Sequence, residues 1–123
     1  MKSFMSIKDQ LNYKFIFCLE GKCISTNLYW AMSSNSVCVM PKPKYESWFM
    51  EGKLKDGVHY IKVKDDFSDA EEKIEFYKNE NDKCLKIIDN AKKFVRQFKD
   101  AKQERLIQLL ILKQYFKSTG QHE

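Results

Sequence analysis

YKFIFCLEGKCISTNLYWAMSSNSVCVMP, residues Tyr13 to Pro41, is the stretch that decides the fold. Its first segment, YKFIFCLE (Tyr13 to Glu20), is a short β-branched and aromatic run bounded by Gly21, the composition of a strand covered on both faces. A helix is expected next. Ser25, Thr26 and Asn27 are helix-capping residue types, and Leu28, Trp30, Ala31 and Met32 supply the apolar content of a short helix ending near Ser33 to Asn35. SVCVMP (Ser36 to Pro41) reads as a second strand, apolar on both faces, which Pro41 and Pro43 stop abruptly. Strand, turn, helix and strand in that order make a unit of a parallel α/β sheet.

Two segments at the carboxyl ends of these strands carry the chemistry. The Gly21 to Asn27 turn leads into a helix start, where backbone N–H groups lack intrahelical partners and the dipole adds about half a positive charge. Such a turn suits a phosphate, and Gly21 permits close approach. One glycine is no G-x-G-x-x-G fingerprint, however, and most strand-to-helix turns bind nothing, so on these residues alone the turn reads first as a plain connection. After the second strand, Lys42, Lys44, Tyr45, Glu46, Trp48, Phe49 and Glu51 place cations, aromatics and acids within ten positions. Ligands of open α/β sheets sit at this end. Two readings stay open here: Trp48, Phe49 and Met50 form one buried helical turn among solvating charges, or an acid meets ribose hydroxyls beside a stacking aromatic.

Working outward, HYIKVK (His59 to Lys64) predicts a third strand, with Tyr60, Lys62 and Lys64 alternating against Ile61 and Val63. Ser68, Asp69, Ala70 and Glu71 form a capping-box pattern that launches an acidic helical turn. His59 reads as a strand-end residue rather than a catalyst. From Asp82 to Lys99, Leu85, Ile88, Ala91, Val95 and Phe98 recur at helical spacing, and Leu106, Leu109, Leu110, Lys113 and Phe116 continue it. Both stripes are expected in the core.

Composition bounds the rest. Hydrophobic residues are 43% and charged residues 32% of 123, ordinary for one soluble α/β domain, and no apolar run reaches the roughly 18 residues needed to span a membrane. Met1 to Leu11 holds Lys2, Lys8 and Asp9 without an apolar core, which argues against a signal peptide and for the cytoplasm. Cys18, Cys23, Cys38 and Cys84 lack C-x-x-C pairing or nearby histidines, so free thiols are expected and zinc is not. Asp65 and Asp66 precede a helix cap rather than form a metal loop, and no metal is expected. Net charge is +5, with ten lysines against five acids up to Lys64 and twelve basic against twelve acidic residues beyond. That field favours a nucleotide diphosphate, and also nucleic acid or an anionic membrane. No nucleic-acid module is recognisable, so no nucleic-acid partner is expected.

FMSIKDQLNYKFIFCLEG (Phe4 to Gly21), NLYWAMSSNSVCVMPKPKYESWFMEGKL (Asn27 to Leu54), VHYIKVKDDFSD (Val58 to Asp69) and the helices through Phe116 together resemble the C-terminal part of glycosyltransferase family 90, the bacterial branch most closely. The resemblance implies a Rossmann-like half of a two-lobed GT-B enzyme: a short parallel sheet with C-terminal helices, residues 1–123 forming the donor-binding lobe. The partner it implies is a nucleotide sugar, a UDP-sugar as donor substrate with no cofactor, used in lipopolysaccharide or other surface-glycan assembly. By position, the donor-phosphate loop falls on Gly21, Lys22, Ile24, Ser25, Thr26 and Asn27. Asn27 stands where the eukaryotic branch has an arginine, with Lys22 as a substitute point charge. Lys42 or Lys44 would add charge, and Glu46 or Glu51 would bond ribose or sugar hydroxyls. The catalytic base belongs to the other lobe, so no catalytic residue is expected here. Alternatives are a separately encoded N-terminal lobe, self-association through Leu106, Ile107, Leu110, Ile111 and Tyr115, or a non-catalytic interaction module descended from such an enzyme.

Overall fold

The computed structural model describes residues 4–121. Met1, Lys2 and Ser3, with the Lys2 charge counted above, lie outside the described residues, as do His122 and Glu123. In chain order the elements are α1 (Ile7–Gln10), β1 (Phe15–Phe17), α2 (Leu28–Met32), β2 (Val37–Met40), a 3-10 turn (Glu51–Lys53), β3 (Ile61–Lys62), α3 (Ala70–Lys78), α4 (Asn81–Arg96) and α5 (Ala101–Thr119). The three strands form one parallel sheet in the order β1-β2-β3, with Ile16 opposite Cys38 and Val39 opposite Ile61.

The α/β class and the parallel sheet are as the sequence reads them. All four residues of β2 are buried because β2 is the central strand, flanked on both edges and covered on both faces. Alternation divides it: Cys38 and Met40 join one apolar layer with Ile16, Leu28 and Tyr60, and Val37 and Val39 join the other with Ile61 and Val63. β1 departs from expectation. It has three residues rather than eight, and Phe17 at its end is 40% exposed, because β1 is an edge strand with one neighbour.

α4 ties the two layers together. Its first half gives Cys84 and Ile87 to the second layer and its last half gives Ala91 and Val95 to the first. Two lysine contacts lie at the amino ends of the strands. Lys14, just before β1, donates to Tyr77 O at 3.3 Å, Lys78 O at 3.1 Å and Asn81 Oδ1 at 2.7 Å, and Lys92 donates to Asn35 Oδ1 just before β2. α4 thus closes the amino end of the sheet and leaves the carboxyl end open.

Three local expectations are corrected. The buried stripe of α4 runs through Cys84, Ile87, Ala91 and Val95: Ala91 and Val95 are buried as the spacing indicates, whereas in the first half Cys84 and Ile87 take the buried positions expected of Leu85, which is 63% exposed, and Ile88. The capping box does not form. Asp69 Oδ1 accepts from the Lys64 N–H at 2.7 Å, so the carboxylate fastens the end of the third strand segment instead of capping α3. The α5 stripe is not core, since no residue of α5 is buried.

Candidate functional site

At the open carboxyl end of the sheet, the segments following β1 and β2 diverge around a cleft of about 300 Å³. Its floor is Cys18, Leu28 and Met40, and its walls are the Leu19–Gly21 turn with Ser25 on one side and Pro41–Tyr45 with Glu51, Asp65 and Phe67 on the other. The cleft forms here because two parallel strands end side by side and both prolines at the start of the second loop refuse further ladder pairing.

Glu20 holds the cleft in shape. Its carboxylate accepts the Lys44 N–H at 3.0 and 3.1 Å and the Tyr45 N–H at 3.2 Å, joining the first loop to the second. Sequence reading missed Glu20; its partners lie more than twenty positions away, beyond any local pattern. On the far wall, the Lys44 ammonium meets the Asp65 carboxylate at 3.1 Å, both side chains largely in solvent. Phe67 sits on the same rim with φ 59, its ring edge-on to Phe17 at 6.3 Å. Met50, with φ 53, precedes the 3-10 turn that carries Glu51. Of these two non-glycine residues in the left-handed region, each costing about 1 kcal/mol or more, Phe67 lines the cleft and Met50 immediately precedes the cleft residue Glu51.

Glu51 is the one expected acid that the fold buries against the cleft, at 3% exposure. Ser47 secures it twice, with N–H to Oε2 and Oγ–H to Oε1, each 2.7 Å. A carboxylate accepts about four hydrogen bonds, so Glu51 retains capacity for hydroxyl donors. Glu46 lies elsewhere, its carboxylate beside Gly52.

Of the donor-loop residues, Gly21 and Ser25 line the cleft and so do Lys42 and Lys44; Lys22, Ile24, Thr26 and Asn27 do not. Asn27 begins α2 without capping it: Nδ2 donates to Phe17 O at 2.9 Å, and Oδ1 accepts from Ser25 Oγ at 2.6 Å. These bonds brace the turn against β1. A Cβ placed on Gly21 would meet nothing within 4 Å, so the fold itself leaves that point open.

The aromatic alternatives separate cleanly. Trp48, Phe49 and Met50 are not a buried helical turn: Phe49 is buried and Trp48 is 61% exposed, its ring tilted against Tyr29 and edge-to-face with Phe49 and Phe98 at 5.5 to 5.6 Å. The aromatics at the cleft are Tyr45 and Phe67. His59 is structural, with Nδ1 accepting the Lys55 N–H at 3.0 Å and the ring against Phe94; burial and then the Lys55 charge lower its pKa. The Cys18 thiol on the cleft floor is pushed up by its hydrogen bond with Cys38 and by burial, which leaves it a poor nucleophile. The four cysteines are free thiols, as the spacing indicates.

The chain is a parallel α/β unit with a cleft at the carboxyl ends of its strands, lined by Lys42, Lys44 and the buried acid Glu51. The comparisons make this specific. The glycosyl transferase family 90 model matches residues 2–118, and the chain belongs to that family. It is 47% identical over 115 residues to the O-glucosyltransferase LpsA of Dichelobacter nodosus, covering 94% of this chain and 36% of that protein. It is also 31% identical over 98 residues to uncharacterized protein 179R of Invertebrate iridescent virus 6, covering 74% of this chain and 8% of the viral one. Uncharacterized protein 027R of Frog virus 3 is 35% identical over 87 residues, 68% of this chain and 9% of its own length. The chain thus spans about a third of LpsA and under a tenth of these viral proteins. No solved structure matches it. No helix among the described residues is long and apolar enough to cross a membrane.

Proposed function

We propose that this chain is the donor-binding part of a Rossmann-like, GT-B-type glycosyltransferase, and that its cleft holds the diphosphate and sugar of a UDP-sugar. The observation that carries the reading is the cleft itself: about 300 Å³, at the strand carboxyl ends, with Lys42 and Lys44 on its rim and Glu51 in its wall. In this reading Gly21 and Ser25 border the diphosphate, the two lysines offset its charge, and the free lone pairs of Glu51 take ribose or sugar hydroxyls. Lys22 and Thr26, exposed on the same turn, stand beside the cleft and reach only a ligand that extends past its mouth. The relative's description as an O-glucosyltransferase supports glucose as the sugar, and we propose surface glycan such as lipopolysaccharide as the setting. The base that deprotonates the acceptor would come from protein outside the matched third.

Titration calorimetry with UDP and UDP-glucose tests this. Lys42→Glu places a like charge beside the diphosphate and is expected to weaken binding about tenfold or more. Lys86→Glu, exposed on α4, makes the same change in net charge away from the cleft and is expected to leave binding unchanged. No heat with the parent chain, or equal loss in both variants, would overturn the assignment.

A further inference from the structure

Beyond the bond from the Cys18 N–H to Val39 O, at 3.0 Å, the first two strands part and the cleft begins. The second loop, residues 41–46, then runs with little to hold it. Pro41 and Pro43 have no N–H to give. Among the described residues, the backbone hydrogen bonds of this loop are those from the Lys44 and Tyr45 N–H groups, and all of them go to Glu20. The loop's ion pair, Lys44 with Asp65, joins two side chains that are 65% exposed and contributes little.

Glu20 is half-buried at the mouth of the cleft and grips the loop with both oxygens. Oε1 accepts from Lys44 at 3.1 Å and from Tyr45 at 3.2 Å, and Oε2 accepts from Lys44 at 3.0 Å. The other acids of the cleft are engaged elsewhere, Asp65 by the Lys44 ammonium and Glu51 by Ser47. Lys42 and Lys44, the cations of the cleft rim, ride on the loop that Glu20 holds.

We propose that Glu20 is the positioning residue of the cleft: acting through the loop rather than on the ligand, its carboxylate holds residues 41–46 in the shape that brings Lys42 and Lys44 to a diphosphate. This role rests on the reading of the cleft as a diphosphate site. The charge of Glu20 fixes the sign of its effect. An acid beside a phosphate repels it, so by charge alone removal of Glu20 tightens binding. A strap gives the reverse, because a loop that keeps its binding shape about a tenth of the time binds about tenfold more weakly. In the competing arrangement the Glu20 carboxylate merely fills a seat on two amides that a phosphate reclaims. That arrangement detaches the loop from the first strand at the moment its lysines are needed.

Titration calorimetry of the 123-residue chain with UDP, beside amide exchange followed by NMR without ligand, tests the role. Glu20→Ala is expected to weaken UDP binding about tenfold and to quicken exchange at the Lys44 and Tyr45 amides, leaving the amides of β2 unchanged. Glu20→Gln removes the same charge but keeps Oε1, the atom that accepts from both amides, and is expected to stay within about threefold of the parent. In a chain already carrying Lys42→Gln and Lys44→Gln, Glu20→Ala is expected to change UDP affinity less than about twofold, because its effect passes through those lysines. A general loss of fold would weaken both backgrounds alike. Tighter binding by Glu20→Ala, equal effects of Ala and Gln, the same tenfold loss in the background lacking both lysines, or unchanged exchange at Lys44 and Tyr45 would each overturn the role. Absence of binding by the parent overturns the diphosphate reading and this role with it, whereas parent binding that Glu20→Ala does not weaken overturns this role alone.

Discussion

α4 and α5 follow one another and are both rich in apolar residues, yet one builds the core and the other leaves its side chains in solvent. α4 buries Cys84, Ile87, Ala91 and Val95 at spacings of three, four and four, a narrow stripe that fits the central strand β2 and the helices α2 and α3 at once. α5 buries nothing although Leu106, Ile107, Leu109, Leu110, Ile111 and Leu112 are nearly continuous. Apolar content alone does not place a helix. A stripe finds cover within a small domain, whereas a helix apolar around most of its circumference needs an environment on more than one side.

Deletion of side chains puts the widest gap between the two. Ile87, 2% exposed, packs with Val37, Val39 and Ile61, and Ile87→Ala is expected to lose about 2 to 4 kcal/mol of stability in urea unfolding. Leu109→Ala on α5, 57% exposed, is expected to stay within about 0.5 kcal/mol. Equal losses would mean that α5 is covered in solution, and a dependence on protein concentration would then show that a second copy covers it.

Polar groups separate the regions by a smaller margin. Ser47→Ala removes the hydroxyl that donates to buried Glu51 and is expected to cost about 1 to 3 kcal/mol, since the carboxylate stays buried with one donor fewer. Ser118→Ala on α5 removes a 3.4 Å contact from Gln114 between exposed residues and is expected to be neutral within about 0.5 kcal/mol. A comparable loss at both positions would show that the cleft wall is not the organised region the hydrogen bonds describe.

What the sequence made legible follows the same division. β2 was readable because Val37 to Met40 is continuously apolar and ends at Pro41, so local composition and tertiary burial agree. The cleft's position followed from two strand ends and the helix between them. Glu20 was not readable, because an acid at a strand end reveals its role only when a distant loop presents the Lys44 and Tyr45 amides. Asp69 misled for a related reason: a capping-box pattern competes with every other amide in reach, and Lys64 N–H wins. Leu85 misled by one position, an error that a helical stripe tolerates until the sheet fixes its phase.

A pH titration probes the packed region through His59. Its pKa is lowered by burial and by Lys55, so between its folded value and the ordinary value near 6.5 the unfolded chain binds more protons than the folded one. Stability therefore holds above that window and declines as pH falls through it. Protonation also removes the Nδ1 acceptor of the Lys55 N–H. Following unfolding between pH 7.5 and 5 is expected to show a shallow decline that His59→Gln reduces. A decline of unchanged size in the variant would assign it to other groups. α5 contains no histidine, so its helix signal in isolation is expected to be flat across this range.

The smallest effect concerns how each region treats its cations. At the cleft, Lys44 is partly offset by Asp65 at 3.1 Å, and both side chains are 65% exposed. An exposed pair of this kind contributes about 0 to 1 kcal/mol, so Asp65→Asn is expected to change stability by no more than about 0.5 kcal/mol. Its consequence for a ligand is of opposite sign. Without the carboxylate the Lys44 ammonium faces the cleft unopposed, and a diphosphate no longer meets an acid on that wall, so UDP affinity is expected to rise a few-fold and to become steeper in salt. Among the described residues no acid plays this part for Lys113 on α5, and Lys113→Gln is expected to leave UDP affinity untouched. An Asp65→Asn chain that binds UDP no better than the parent would place the diphosphate away from Lys44, on the Gly21 side of the cleft.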